Sequence, residues 1–245
     1  MWRLLREFHG SNVVGSVHIE AAWSGPDPVD ETRYLARVSA ESEMPNALVV
    51  LVDLVAGDAE RELAAHLEAS SLVRGVRIRQ HPDGGGDARF LDNMRTVARL
   101  GLSFESRAWP GPLADVAITA RAVPELTIVV GSTGMPLERG AEYFAWWRRE
   151  MADLAELPNT VCKVSGLGMA DHRWTVASIR PWVEACIELF GPTRCMFGSN
   201  WPVDAVYASY LMTIDALRTI VADAGLRRTD QESLLSGTAR VTYRI

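Results

Sequence analysis

Near the C-terminal end, Met196-Phe197-Gly198-Ser199-Asn200-Trp201-Pro202-Val203-Asp204 reads as a short apolar strand that stops in a polar turn carrying Asn200, with Asp204 four residues on. Amides and carboxylates at the C-terminal lip of a strand are where α/β enzymes hold reacting groups. Similar residues follow the other apolar runs: His18 and Glu20, Asp53, Arg77 with Arg79 and Gln80, Glu105 with Arg107, Ser132 with Thr133, and Lys163 with Ser165. As a ring they are too polar to be core filler, and each alone is ambiguous.

His18 alternates with Val17 and Ile19, and Glu20 shares its parity, so both could face one pocket. They could serve as an acid/base pair or as two ligands of a divalent ion; the competing reading is a core histidine bonded to the backbone. Arg77 and Arg79 flank Ile78 and point the same way. They could bind a substrate carboxylate, or form internal ion pairs with Asp53 or Glu105. Lys163, inside the strand Val161-Cys162-Lys163-Val164, must snorkel to the rim or pair with a carboxylate. Trp109 and Trp201 come just after strands and could wall a pocket, whereas Trp146, Trp147, Trp174 and Trp182 sit at helical spacings and read as packing.

The elements that must position these groups alternate along the whole chain. Apolar runs at 12–19, 47–54, 75–78, 102–105, 127–130, 161–164 and 194–197 alternate with amphipathic helices at 29–42, 58–70, 88–100, 113–123, 142–157, 174–190 and 207–224, and a short helix at 230–235 ends the chain. Short apolar strands separated by amphipathic helices indicate parallel strands with helical crossovers. About seven such units without a composition break favour one α/β domain over residues 1–245, a (β/α)8 barrel of the TIM type, over an open doubly wound sheet. Residues 2–9 read as the tail of a helix, so the barrel is either closed differently or lacks its first strand and is N-terminally truncated. No GxGxxG follows the first strand. Gly84-Gly85-Gly86 reads as a flexible loop, because no Lys-Ser/Thr or helix start follows it as in a phosphate cradle.

Composition narrows the partners. The chain has 245 residues, 48% hydrophobic and 23% charged, with a net charge of -6. It has no basic cluster for nucleic acid and no run of the ~18 apolar residues that a membrane span needs. Charges at Arg3, Arg6 and Glu7 exclude a signal peptide. Cys162, Cys186 and Cys195 lack CxxC spacing and sit in apolar runs, as buried free thiols in a reducing cytoplasm would. The implied partner is a small molecule, anionic if the arginines bind it, and a homo-oligomer is compatible with the sequence.

Four segments together resemble a known family: Val17-His18-Ile19-Glu20-Ala21, Val130-Gly131-Ser132-Thr133-Gly134-Met135-Pro136, Lys163-Val164-Ser165-Gly166-Leu167-Gly168-Met169 and Phe197 to Asp204, with Ala239-Arg240-Val241-Thr242-Tyr243-Arg244 closing the chain. In order and over essentially the whole length, these are similar to the amidohydrolase-related TIM-barrel metal-dependent hydrolases of the amidohydrolase 2 type, in the branch that contains sugar-acid and muconate lactonases. The resemblance implies a distorted barrel that hydrolyses a lactone or a related ester or amide. It also implies a His-x-His pair on the first strand, a histidine on the sixth and an aspartate on the eighth that helps activate water, with or without one divalent ion such as zinc or manganese.

This chain departs from that pattern where the chemistry is expected. The His-x-His has no counterpart, Ser132 stands at the sixth-strand histidine and Asn200 at the eighth-strand aspartate. Asn cannot take a proton from water, and Ser is a poor ligand beside imidazole, so metal binding is expected to be weak or absent. The sequence therefore implies His18, Glu20 and Asn200 as the catalytic set, His18 or Glu20 transferring the proton and Asn200 orienting water. Arg77, Arg79, Trp109, Ser132, Trp201 and Asp204 are the substrate-binding set, and Asp204 is expected to lie too far along the chain to replace the missing carboxylate. Two other readings remain: a degenerate, non-catalytic barrel, and a metal-dependent decarboxylase of the same superfamily.

Overall fold

The computed structural model describes residues 7–8, 10–21, 23–55, 58–106 and 113–245. Its strands are β1 (Val17–Ile19), β2 (Ala47–Leu51), β3 (Val73–Arg77), β4 (Ser103–Ser106), β5 (Ile128–Val130), β6 (Thr160–Val164) and β7 (Cys195–Phe197). They form a parallel sheet in chain order, β1 to β7. Between them run α1 (Val29–Ser42), α2 (Ala59–Ala69), α3 (Ala88–Arg99), α4 (Leu113–Ala122), α5 (Ala141–Ala155) and α6 (Val176–Phe190), and α7 (Tyr210–Asp223), α8 (Arg228–Glu232) and α9 (Thr238–Tyr243) follow β7. This is the TIM-barrel type of α/β fold, and seven strands fit an eight-stranded barrel with one strand fewer. Among the described residues β1 and β7 pair with no strand beyond β2 and β6.

Local chemistry starts and stops these elements. Asp58, Asp87 and Ser209 each accept a first-turn backbone N–H, at Arg61, Phe90 and Met212. Thr175 and Ser178 form a reciprocal capping box at the start of α6. The first strand is shorter than the apolar run 12–19 suggests. Asn12 takes a left-handed φ of 58°, Val14 is 79% exposed, and the Ser16 N–H donates to the Asn46 side chain, so pairing with β2 begins only at Val17. In the run Gly84-Gly85-Gly86 a short 3-10 turn, Asp83–Gly85, ends at Gly86, and the Thr119 hydroxyl donates to the Gly85 carbonyl.

Strand alternation divides the core in two. Leu48, Val50 and Val76 point into the large apolar layer beneath the helices, which also takes in Trp147, Trp182 and the buried thiols Cys162, Cys186 and Cys195. Trp146 differs from the packing role its spacing suggests, since it is 39% exposed. Ala47, Val49, Val129 and Met196 form a smaller inner cluster with Tyr243, which α9 delivers from the end of the chain. At the two ends of the sheet the flanking segments touch: the Phe8 ring lies 5.0 Å from Tyr210 of α7, and Arg218 Nη2 donates to the Ser11 carbonyl at 2.7 Å.

Candidate active site

The C-terminal ends of the strands carry two polar groupings. The first lies inside the sheet and consists of paired charges. Glu105 on β4 and Lys163 on β6 form an ion pair, with the carboxylate side chain 1% and the ammonium side chain 12% exposed. Tyr243 donates its hydroxyl to the other oxygen of Glu105 at 3.1 Å, closing a contact between residues 138 apart. Burial pushes the Lys163 pKa down, against the pull of Glu105, and pushes the Tyr243 phenol well up. Lys163 thus pairs with a carboxylate inside the barrel. Arg77 ends β3 and lies 3.5 Å from Glu20, just past β1, rather than against Asp53 or Glu105 as its sequence alternatives suggest. The carboxylate that shares its layer, Glu105, is already paired to Lys163. Among the described residues the buried Arg77 Nε meets no acceptor.

His18 and Glu20 border one small cavity beside α1 but make different ion pairs. Val17 and Ile19 pack on the inner cluster, so His18 faces the helices, where its Nε2 lies 2.8 Å from Glu31 Oε1 of α1. Glu20 lies beyond the last residue of β1, continues the ladder by donating its N–H to Val49, and turns to Arg77. Arg79 also parts from Arg77: its Nη2 reaches the Trp23 carbonyl at 3.5 Å, and it lines a cavity at the ends of β1 to β3 together with Asp53. Trp109 and Arg107 lie outside the described residues.

The second grouping is neutral except for one carboxylate. Ser132 and Thr133 follow β5 in a tight turn with φ of 49° and 58°. The turn is clamped to the end of β6, because Thr133 Oγ1 donates to the Ser165 carbonyl and accepts the Ser165 N–H, at 2.8 and 3.0 Å. Gly166, at φ +68°, marks the meeting point: a methyl group there would lie 3.4 Å from Ser132 Cβ and 3.5 Å from Asn200 Nδ2. Ser132 and Asn200, 68 positions apart, therefore face one spot across β6. Trp201 turns its ring edge-on to Tyr210, centroids 5.6 Å apart, beside the lip.

Asp204 completes this lip. A short 3-10 turn, Val203–Val206, folds the chain back so that Asn200 Nδ2 donates to Asp204 Oδ1 at 2.7 Å, while the Asp204 N–H donates to the Asn200 carbonyl. Asp204 is 4% exposed, and burial raises its pKa against hydrogen bonds from Asn200 and the Gly168 N–H. A buried carboxylate held only by neutral donors keeps its proton more readily than an exposed one. Asp204 lies in a helix start after the strand, as its spacing suggests, and meets Asn200 because Asn200 adopts φ 52° and turns the chain.

The donor set among the described residues does not fit a divalent ion. Among the described residues no three His, Cys, Asp or Glu side chains come together as a metal site. Glu20 faces Arg77, His18 faces Glu31, and the convergent groups at β5 and β7 are a hydroxyl and an amide. Sequence reasoning missed the part of Tyr243. Its residues belong to the closing family segment, yet no local pattern shows that a C-terminal tyrosine reaches Glu105.

The amidohydrolase family model matches residues 16–245. The protein y4mH of Sinorhizobium fredii is 31% identical over 98% of this chain and 84% of its own. An L-fucono-1,5-lactonase of Burkholderia ambifaria is 30% identical over 71% of this chain, and the match spans 61% of that enzyme. A crystal structure of a Burkholderia multivorans amidohydrolase with bound zinc superposes with a TM-score of 0.86 at 25% identity, covering 99% of this chain and 87% of that one.

Proposed function

Since this chain belongs to the amidohydrolase family, we propose that it is a hydrolase that opens a small sugar-derived lactone by adding water across the ring ester. The observation that carries this reading is the hydrogen bond of 2.7 Å between Asn200 and the buried Asp204, beside Ser132 and Gly166. The likeness to a lactonase at 30% identity supports the substrate class.

In this reading Asn200 and Ser132 hold the attacking water and the lactone carbonyl where the β5 and β7 turns meet. Asp204 takes a proton from the water as its oxygen bonds to the carbonyl carbon. The bond from the carbonyl carbon to the ring oxygen then breaks, and the ring oxygen leaves as a hydroxyl with the proton returned through Asp204. The product is the open hydroxy acid, so lactone and water are fully accounted for. Hydrogen-bond donors fixed before reaction stabilise the oxyanion without reorganising. The Glu105–Lys163 and Glu20–Arg77 pairs hold strands β1, β3, β4 and β6 at fixed spacing beneath this site.

The test is turnover of a panel of five- and six-membered sugar lactones, followed by acid release, with wild type and Asp204→Asn compared. Opening of at least one lactone that Asp204→Asn abolishes while its fold is retained supports the reading. An Asp204→Asn variant as active as wild type would remove Asp204 as the base, and no opening of any lactone would favour the non-catalytic barrel.

A further inference from the structure

Each of the three turns that meet at the lip passes through left-handed backbone. Asn200 after β7 has φ 52°, Gly166 after β6 has φ +68°, and Ser132, Thr133, Gly134 and Met135 after β5 have φ of 49°, 58°, 62° and 52°. Glycine takes that conformation freely, and asparagine at small cost. Thr133 is the residue least suited to it, because its branched Cβ crowds the backbone there. Such a residue persists only where its surroundings over-determine it, and such sites cluster where function needs them.

Thr133 is fully buried and held by three hydrogen bonds. Its hydroxyl takes both backbone groups of Ser165, standing in for a strand rung beyond the last β5–β6 pair, Val130 and Cys162. Its carbonyl accepts the Trp147 indole N–H at 3.0 Å, and Trp147 is wedged between Phe144 and Trp182, with ring centroids 5.6 and 4.8 Å away. The next residue is confined too: a methyl group on Gly134 would meet Met151 Sδ at 2.5 Å. On its other side the end of β6 is fixed to β7, where the Gly198 N–H donates to the Val164 carbonyl at 2.9 Å. The end of β6 is therefore a common post. Thr133 ties the residue after Ser132 to it, and Gly198 ties the chain two residues before Asn200. We propose that Thr133 is a positioning residue, whose hydroxyl locks the left-handed turn that sets Ser132 opposite Asn200. Its part in catalysis rests on the lactonase reading; the placement of Ser132 does not.

Thiol labelling tests the placement and turnover tests the part in catalysis. Cys162, Cys186 and Cys195 are buried, whereas position 132 is half-buried, so Ser132→Cys adds the one reactive thiol. With iodoacetamide and peptide mass spectrometry, Thr133→Val in that background should speed labelling at position 132 about tenfold, as loss of two hydrogen bonds allows. Thr133→Ser, which keeps the hydroxyl, should label within about twofold of the parent. The native thiols should stay protected in all three proteins. In the chain with Ser132 intact, Thr133→Val should lower kcat for lactone opening about fivefold, and Thr133→Ser should restore it. Beside Ser132→Ala the same change should cost less than about twofold, because it acts through Ser132. Should Thr133→Val not fold, Thr133→Gly, which takes φ 58° without strain, replaces it with the same expectations. Unchanged labelling at position 132, labelling of the native thiols along with it, or a loss of kcat that persists in full beside Ser132→Ala would each overturn the assignment. If wild type opens no lactone, the lactonase reading falls and the labelling still decides whether Thr133 places Ser132.

Discussion

Two polar groupings sit within a few strands of each other, and they differ in how their charge is balanced. At Glu105, Lys163, Tyr243, Glu20 and Arg77 each buried carboxylate faces a cation, and Glu105 also accepts a phenol. At Ser132, Gly166, Asn200 and Asp204 the partners of the one carboxylate are neutral donors. Burial acts on both. In the first it is offset by opposite charge, and the groups are fixed into structure. In the second it is offset only by hydrogen bonds, so the pKa of Asp204 rises. The difference teaches that burial acts on a carboxylate according to whether its partners are charged or neutral.

The largest expected effect tests the first half of that contrast. Lys163→Met or Glu105→Gln alone should lose about 3–5 kcal/mol in a denaturant titration, because each leaves one buried charge or its partner uncompensated. Lys163→Met with Glu105→Leu together should recover much of the loss. Single losses as small as those of an exposed pair would show that the inner grouping is not structural.

Asp204→Asn should lower the rate of lactone opening by about 10²–10⁴-fold, the usual worth of a positioned base, without a loss of stability. The pH dependence follows from the direction of its shift. A carboxyl whose folded pKa lies above its unfolded value of 3.8 binds the proton more tightly when folded, so its contribution is present at low pH and is lost as pH rises from 3.8 through the raised folded value. Asp204→Asn should flatten that decline, and in the wild type the acid limb of kcat/KM should fall above 3.8. An acid limb unchanged in Asp204→Asn would assign the base elsewhere.

Asn200→Ala, which removes one donor to Asp204 and to water, should cost about tenfold in kcat. Asn200→Asp sharpens the contrast further, since a second carboxylate within hydrogen-bond reach of Asp204 should move the acid limb to higher pH. A limb that stays where it is would mean that position 200 does not sense Asp204. Ser132→Ala should have the smallest effect, about fivefold, and should show in KM and kcat for lactones while leaving the melting temperature nearly unchanged.

Much of the frame was legible from the chain. The alternation of apolar runs with amphipathic helices located each strand and the parallel crossovers, because side-chain periods of two and 3.6 are local properties. Edges were less secure: the run 12–19 reads as one strand, but whether its first half pairs depends on a neighbour, and there Asn46 takes the Ser16 N–H in place of a ladder partner. Of the site, the lip around Ser132 and Asn200 was visible as polar residues after strands. The parity shared by His18 and Glu20 was visible too, but their partners were not: His18 meets Glu31 and Glu20 meets Arg77.

The sequence by itself determined the order of elements, the family segments, and the absence of carboxylate and imidazole at positions 200 and 132. Only the tertiary structure decided who balances whom. Glu105 meets Lys163 from 58 residues away and Tyr243 from 138 away, and Arg77 faces Glu20 across β1 and β3. Asp204 returns to Asn200 because the chain reverses at a left-handed residue. Pairing of charges depends on distances of a few ångströms across strands, and sequence separation carries no information about those distances until the sheet has formed.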